Sequence, residues 1–265
     1  MRLARLLVCA LLAANSPASS ATGSSTSNAS QASVLIQQSL AALTGGQTLT
    51  DVTLTGSAQT IAGSDNETGN AVLKAVAAGA SSLALTLTAG PRTEVLNASV
   101  IPPSGSRSGP DGSTHVIPYH NLLTGPSWFF PAFSLSAASS VANNTVTYVG
   151  QETHNGATVQ HLTIIQSAPV GIVTSDPLLP HLTQLDFYLD STTLLPVAVD
   201  FTIHPDDNEL ADVPVEIRFA SYTTISGAQI PFHVQRFINN SLALDLQIQN
   251  AVLNSGITIS QVTGH

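Results

Sequence analysis

The chain has 265 residues, of which 43% are hydrophobic and only 9% charged, with a formal net charge of −9. An acidic chain with seven basic residues is a poor partner for nucleic acid or an anionic membrane surface, so neither is expected to bind it. A single cysteine, Cys9, excludes a disulfide framework within the chain.

Arg2 and Arg5 precede the apolar run Leu6 to Ala14, and small residues follow as far as Ala21. This is the pattern of a secretory signal peptide, residues 1–21, with cleavage after Ala18 or Ala21. Cleavage would remove Cys9 and two of the seven basic residues, leaving a more acidic protein without thiol chemistry, exported to the periplasm or beyond. Residues 22–30, rich in Ser and Thr, read as a flexible leader, and 31–265 as one domain.

Ile36, Leu40 and Leu43 fall on one face of a helix over 34–43, which Gly45-Gly46 stops. Val52 and Leu54, then 71–77, then Leu83, Leu85 and Leu87, then 93–97 predict the first strands. The stretch 102–114, dense in Gly, Pro and Ser, predicts a loop, and 115–120 a strand. Trp128, Phe129, Phe130 and Phe133 crowd six residues, inside a short helical segment near 127–137 for which Ser127 is a candidate N-cap. So dense an aromatic cluster must be buried or bind something, and it is expected to plug the mouth of the sheet as a lid.

Residues 145–153 and 157–166 form a hairpin whose Asn155-Gly156 supplies the positive φ angles of a type I′ turn. From Leu185 to Phe237 apolar residues then recur at every second position. Asp186, Tyr188, Asp190, Asp200, Thr202, His204, Glu216, Arg218, His233 and Gln235 lie between them. Such strands have one greasy and one wet face, joined by loops too short for crossover helices. Leu242 to Ile248 continues the alternation, and the apolar stretch 257–262 ends the chain. The fold class is therefore mainly β, a curved antiparallel sheet of about ten strands, half-open, behind one N-terminal helix.

Leu185-Asp-Phe-Tyr-Leu-Asp-Ser-Thr-Thr-Leu-Leu-Pro196, then Ile217 to Tyr222, then Ile225-Ser-Gly-Ala-Gln-Ile-Pro231 resemble exported proteins of the LolA, LolB and LppX type. In that fold, an N-terminal helix and an incompletely closed sheet enclose an apolar cavity. Its members carry lipoproteins or lipids across the periplasm. Trp128-Phe-Phe-Pro, Tyr148-Val-Gly-Gln-Glu, Asp186-Phe-Tyr-Leu-Asp and His204-Pro-Asp also look like an uncharacterised family of secreted proteins from soil bacteria, which brings no activity with it.

No catalytic constellation stands out. The serines show no Gly-x-Ser-x-Gly turn, and no phosphate-cradling Gly loop is present. His115 and His120, five apart, would face opposite sides of a strand. His154 and His161 flank a hairpin near Glu152, and His204, Asp206 and Asp207 share a loop, so these read as solvated or hydrogen-bonded groups. No cofactor, metal or catalytic residue is expected, and the wet-face carboxylates read as solubilising. The remaining candidate is the greasy face carrying Phe187, Leu189, Val199, Phe201, Ile217, Phe219, Phe232 and Leu244. One short helix can hardly cover it, so it is expected to bind an apolar small molecule or the acyl chain of a lipidated protein. The competing readings are a solid-core envelope module acting on a protein partner and, behind it, a hydrolase.

Overall fold

The computed structural model describes residues 27–125, 127–140, 143–166 and 177–264. The expected export signal lies outside them, as does most of the expected leader. Helix α1 (Asn28–Thr44) starts earlier than the 34–43 apolar pattern requires, so the end of that leader is helical. The Ser27 hydroxyl accepts from the Ser30 N–H at 3.3 Å, and Gly45 ends the helix at φ 61° with its N–H on the Ala41 carbonyl. Ala32, Ile36, Ser39 and Leu43, spaced by three or four, form its buried stripe.

The first run of strands is β1 (Asp51–Ala62), β2 (Asp65–Val76), β3 (Ala80–Leu87), β4 (Gly90–Asn97), β5 (Ser104–Ser108) and β6 (Thr114–Val116). A 3-10 turn, Tyr119–Leu122, and helix α2 (Pro131–Ser140) lead to the hairpin β7 (Asn144–His154) and β8 (Ala157–Gln166). After α3 (Leu179–Leu182) follow β9 (Leu185–Asp190), β10 (Pro196–Ile203), β11 (Val213–Ile225), β12 (Ala228–Ile238), β13 (Ser241–Leu253) and α4 (Ile259–Thr263). All thirteen strands make one antiparallel sheet in the order β6-β5-β4-β3-β2-β1-β13-β12-β11-β10-β9-β8-β7. Its edges, β6 and β7, do not pair, so the curved sheet stays open.

Among the described strands, the pairing of β1 with β13 is the one that joins distant parts of the chain, and Asp51 locks its end. Its buried carboxylate accepts from the Ser255 N–H at 2.9 Å, the Ser255 hydroxyl at 2.7 Å and the Gly256 N–H at 2.9 Å. Curvature comes with a bulge at Thr55/Gly56, where a Cβ on Gly56 would lie 2.0 Å from the Gln247 carbonyl oxygen, so only glycine lets the strands approach. Gly45 likewise touches the carbonyl of Gly227 in the β11–β12 turn, which pins the end of α1 to the sheet.

Three expectations change, and the end of the chain takes a form the sequence left unassigned. Strand β5 lies inside the predicted 102–114 loop, because Ser-Gly-Ser-Arg-Ser carries no apolar alternation to reveal it. The predicted 115–120 strand stops at Val116 and turns into a 3-10 helix after Pro118, which has no N–H for a ladder. The aromatic helix starts at Pro131, where a missing N–H costs nothing, and Ser127 is buried ahead of it. The last stretch is helix α4, closed by a capping box between Thr258 and Gln261.

The concave face packs directly on α1, α2 and the aromatics ahead of α2, in one core that runs from Ala32 to Ala251. Phe129 and Phe130 are 1% exposed and Phe187, Leu189 and Ile217 not at all. The second inward helix, α2, supplies the cover that α1 alone could not.

Candidate ligand groove and an outer polar cleft

Register fixes which side chains face inward, because residues paired across an antiparallel ladder share a face. Glu94 pairs with Leu83, Arg92 with Leu85, Arg107 with Glu94, and Arg236 with Leu244 and Ile217, so these four charges point into the apolar interior. They assemble around Glu94, which is 8% exposed. Arg236 donates to its two oxygens at 3.0 and 3.3 Å, Arg107 Nε at 3.2 Å and Trp128 Nε1 at 2.8 Å. The Arg236 guanidinium also lies over the Trp128 ring at 3.7 Å from its centroid. Arg92 pairs with Glu67 beside this knot. Burial works against the Glu94 carboxylate, yet Arg236 and Arg107 outweigh it and hold the carboxyl at about 2.

Two openings flank the knot. One, of about 380 Å³, is lined by Ile61, Leu83, Leu85, Ile238 and Leu244 with Arg92, Arg107 and Arg236. The other, of about 80 Å³, runs between Leu96, Phe201, Ile203, Val215 and Trp128. Of the eight residues expected to bind a ligand, Phe201 and Leu244 line these openings. Phe187, Leu189, Val199, Ile217 and Phe219 are sealed under the helices, and Phe232 is half-buried against the same core. The expected open apolar face is thus mostly filled by the chain itself. The four aromatics of the segment ahead of and in α2 are buried: Trp128 is 4% exposed, edge-on to Phe129 at 5.5 Å, and Phe130 meets Phe133 at 4.8 Å.

Glu94, Arg92 and Arg236 were legible by parity. Glu94 and Arg236 sit two residues from an inward apolar position, Leu96 or Val234, and Arg92 sits four from Leu96. A charge at an inward position is itself the signal. The alternation also breaks: a bulge between Pro196 and Ala198 leaves Val197 outside the apolar series, and a register shift at Arg236/Phe237 pairs Leu242 with Phe237 rather than with an inward residue.

The convex face over β7 to β11 is not merely solvated. The ring of Tyr188 stacks on His154 at 3.7 Å and leans on His161 at 4.6 Å, above a small cluster with Val159 and Ala198. His161 Nε2 meets Asp186 at 3.0 Å, and His154 Nε2 meets Glu216 at 2.9 Å, while Arg218 holds the other Glu216 oxygen at 2.6 Å. Burial raises Asp186, but hydrogen bonds from His161, Thr163 and Gln184 overcome it and the carboxyl falls below its ordinary value. Asp200 has less help, from His154 and a Tyr188 hydrogen bond. Burial and the charge of Glu216 raise it to about 6, and its Oδ1 has no hydrogen-bond partner. These groups line an open cleft of about 450 Å³ that also reaches His181 and Asp212.

His204, expected in a loop with Asp206 and Asp207, instead meets Asp212 at 3.1 Å, and His181 reaches the same Asp212 oxygen at 2.9 Å. Sequence spacing gave no hint, since α3 and the loop between β10 and β11 meet here. The turn chemistry of the Asp-x-x-x-Leu-Pro stretch is structural: Asp190 Oδ1 accepts the N–H groups of Thr192 and Thr193 at 3.1 and 2.8 Å.

No family model matches the chain, and no curated protein matches it by sequence. Solved structures do match. A protein described as an outer membrane lipoprotein-sorting domain, from Vibrio parahaemolyticus, aligns at TM-score 0.57 and 14% identity, covering 89% of this chain and 98% of that one. The fold is LolA-like. A LolA superfamily protein from Nitrosomonas europaea aligns at TM-score 0.54 and 10% identity over 88% of this chain and 97% of its own. A DUF1329 family protein from Desulfovibrio piger aligns at 0.55 and 10%, over 89% and 98%. At such identities the likeness is one of architecture, and the LolA-like fold is what sequence resemblance had implied.

Proposed function

We propose that the protein is a non-catalytic, exported carrier that holds an amphiphile with an acyl chain and an anionic head in the groove beside Glu94. One observation carries the reading. The chain is acidic overall, yet three of the five basic residues beyond residue 26, Arg92, Arg107 and Arg236, line this one apolar groove. Two carboxylates, Glu67 and Glu94, oppose these three cations, which leaves the groove cationic. An apolar trough with a cationic rim suits a carboxylate- or phosphate-headed lipid. Its volume of about 380 Å³ lies within the usual range for ligand sites. A longer chain would enter further by displacing Trp128, whose segment then acts as the lid. The likeness to a lipoprotein-sorting domain supports this direction.

Each buried CH₂ contributes roughly 0.8 kcal/mol, so a short acyl segment can offset the cost of association. The test is uptake of a fluorescent fatty acid by the purified chain, with its methyl ester as comparison. Preference for the free acid, reduced by Arg107→Ala, supports the reading. Equal uptake of acid and ester, or none, removes the anionic-head assignment or the carrier itself.

A second reading, a module that acts by protein contact, is favoured by the open edge at β6. There Ile101, Val116 and Tyr119 are exposed, and Val116 and Tyr119 line an apolar recess of about 510 Å³.

A further inference from the structure

The outer cleft holds an arrangement that the carrier reading does not use. His204, at the end of β10, is buried, with its side chain fully shielded. Asn121 fixes its backbone through two hydrogen bonds, donating to the His204 carbonyl at 2.7 Å and accepting from its N–H at 2.8 Å. Its Nε2 and that of His181 in α3 converge on one oxygen of Asp212, at 3.1 and 2.9 Å. All three ligand atoms lie within 4.8 Å of one another. Bonds of about 2.0 to 2.1 Å in a tetrahedron set ligand atoms about 3.3 Å apart, so an ion needs the two Asp212 edges to open by a few tenths of an ångström and the two imidazole nitrogens, within 4.8 Å of each other, to settle near that spacing. Behind the pair, His120 stands edge-on to His204 at 5.8 Å, and His120 Nε2 and His204 Nδ1 are buried with no hydrogen-bond partner.

We propose that His181, His204 and Asp212 bind a divalent transition metal ion of the zinc class, with its open coordination position facing the cleft. Two imidazoles and one carboxylate are the donor set that borderline cations select over calcium or magnesium, which take oxygen ligands. Three protein ligands leave a fourth position open, and His181 and Asp212 line the cleft that gives access to it. The neighbouring trio of His154, Asp200 and Glu216 is less suited, because Arg218 already occupies a Glu216 oxygen and its charge opposes a cation.

The experiment is a titration of the purified, chelator-treated chain with Zn²⁺ by calorimetry, and with Co²⁺ by visible absorption, which reports tetrahedral nitrogen and oxygen ligation. His181 and Asp212 are both half-exposed, so His181→Ala and Asp212→Asn should fold, which circular dichroism checks. One Zn²⁺ per chain, weakened at least 100-fold in both variants and unchanged in His154→Ala, supports the site. Absence of binding, binding that survives both variants, or binding lost only with His154→Ala overturns it.

Discussion

Glu94 on the inner face and Asp200 on the outer face are both carboxylates taken largely out of water by the same sheet, and they titrate in opposite directions. Glu94, the more buried of the two, is held at about 2, while Asp200 is raised to about 6. Burial penalises the charge of both. Glu94 has Arg236, Arg107 and the Trp128 indole around it, whereas Asp200 faces Glu216 and Asp186 with His154 and a Tyr188 hydrogen bond too weak to offset them. Partners, not depth, decide the sign. The inner knot is therefore a completed structural unit, whereas on the outer face Asp186 and Glu216 are offset by their partners and Asp200 is not.

The largest effect should follow from breaking the completed unit. Arg236→Met leaves Glu94 buried beside Arg107 alone and should cost about 3 to 5 kcal/mol in denaturant unfolding. Adding Glu94→Gln should restore most of that loss, since the cost lies in the stranded charge. A double variant no better than the single one would show that Arg236 acts through packing on Trp128 instead. On the acid side, Glu94 contributes stability that is present above the ordinary carboxyl value of 4.5 and is lost as pH falls towards 2.

Asp200 sharpens the comparison from the other side. Its folded-state pKa is raised, so the stability associated with its protonated form is present below 3.8 and lost as pH rises through about 6. Asp200→Asn should accordingly raise Tm at pH 8 by roughly 2 °C or more and change nothing at pH 3.5. A gain of equal size at both pH values would mean that charge is not the cause. The smallest effect belongs to Asp190, whose oxygen serves only its own turn. Asp190→Ala should cost about 1 kcal/mol, measured by urea unfolding at pH 7.

The inner surface was legible because apolar alternation reports directly which side chains point inward, from Leu185 through Ile248. It failed at β5 and β6, whose small polar residues carry no such pattern, and at Val197, where a bulge shifts the parity. The hairpin at Asn155-Gly156 was readable because those residues favour positive φ, and they adopt 50° and 81°. Asn239 and Asn240 turn the last hairpin, β12 to β13, in the same way. The helical filling was half visible. The stripe on α1 announced itself, but α2 mixes small Ser and Ala residues around its circumference and gives no face to read. The convex cluster was invisible for a different reason. His181, His204 and Asp212 come together through the loops that end β10 and precede β9, and no local spacing encodes such a meeting.

The central claim is that the groove beside Glu94, and not the sealed core, accepts an acyl chain. The most direct measurement fills that groove: Ala243→Trp, at a half-buried position on its wall, assayed for fluorescent fatty-acid binding with thermal unfolding in parallel. The account predicts unchanged unfolding and binding weakened at least tenfold. Full binding by the Ala243→Trp chain would place the ligand elsewhere and contradict it.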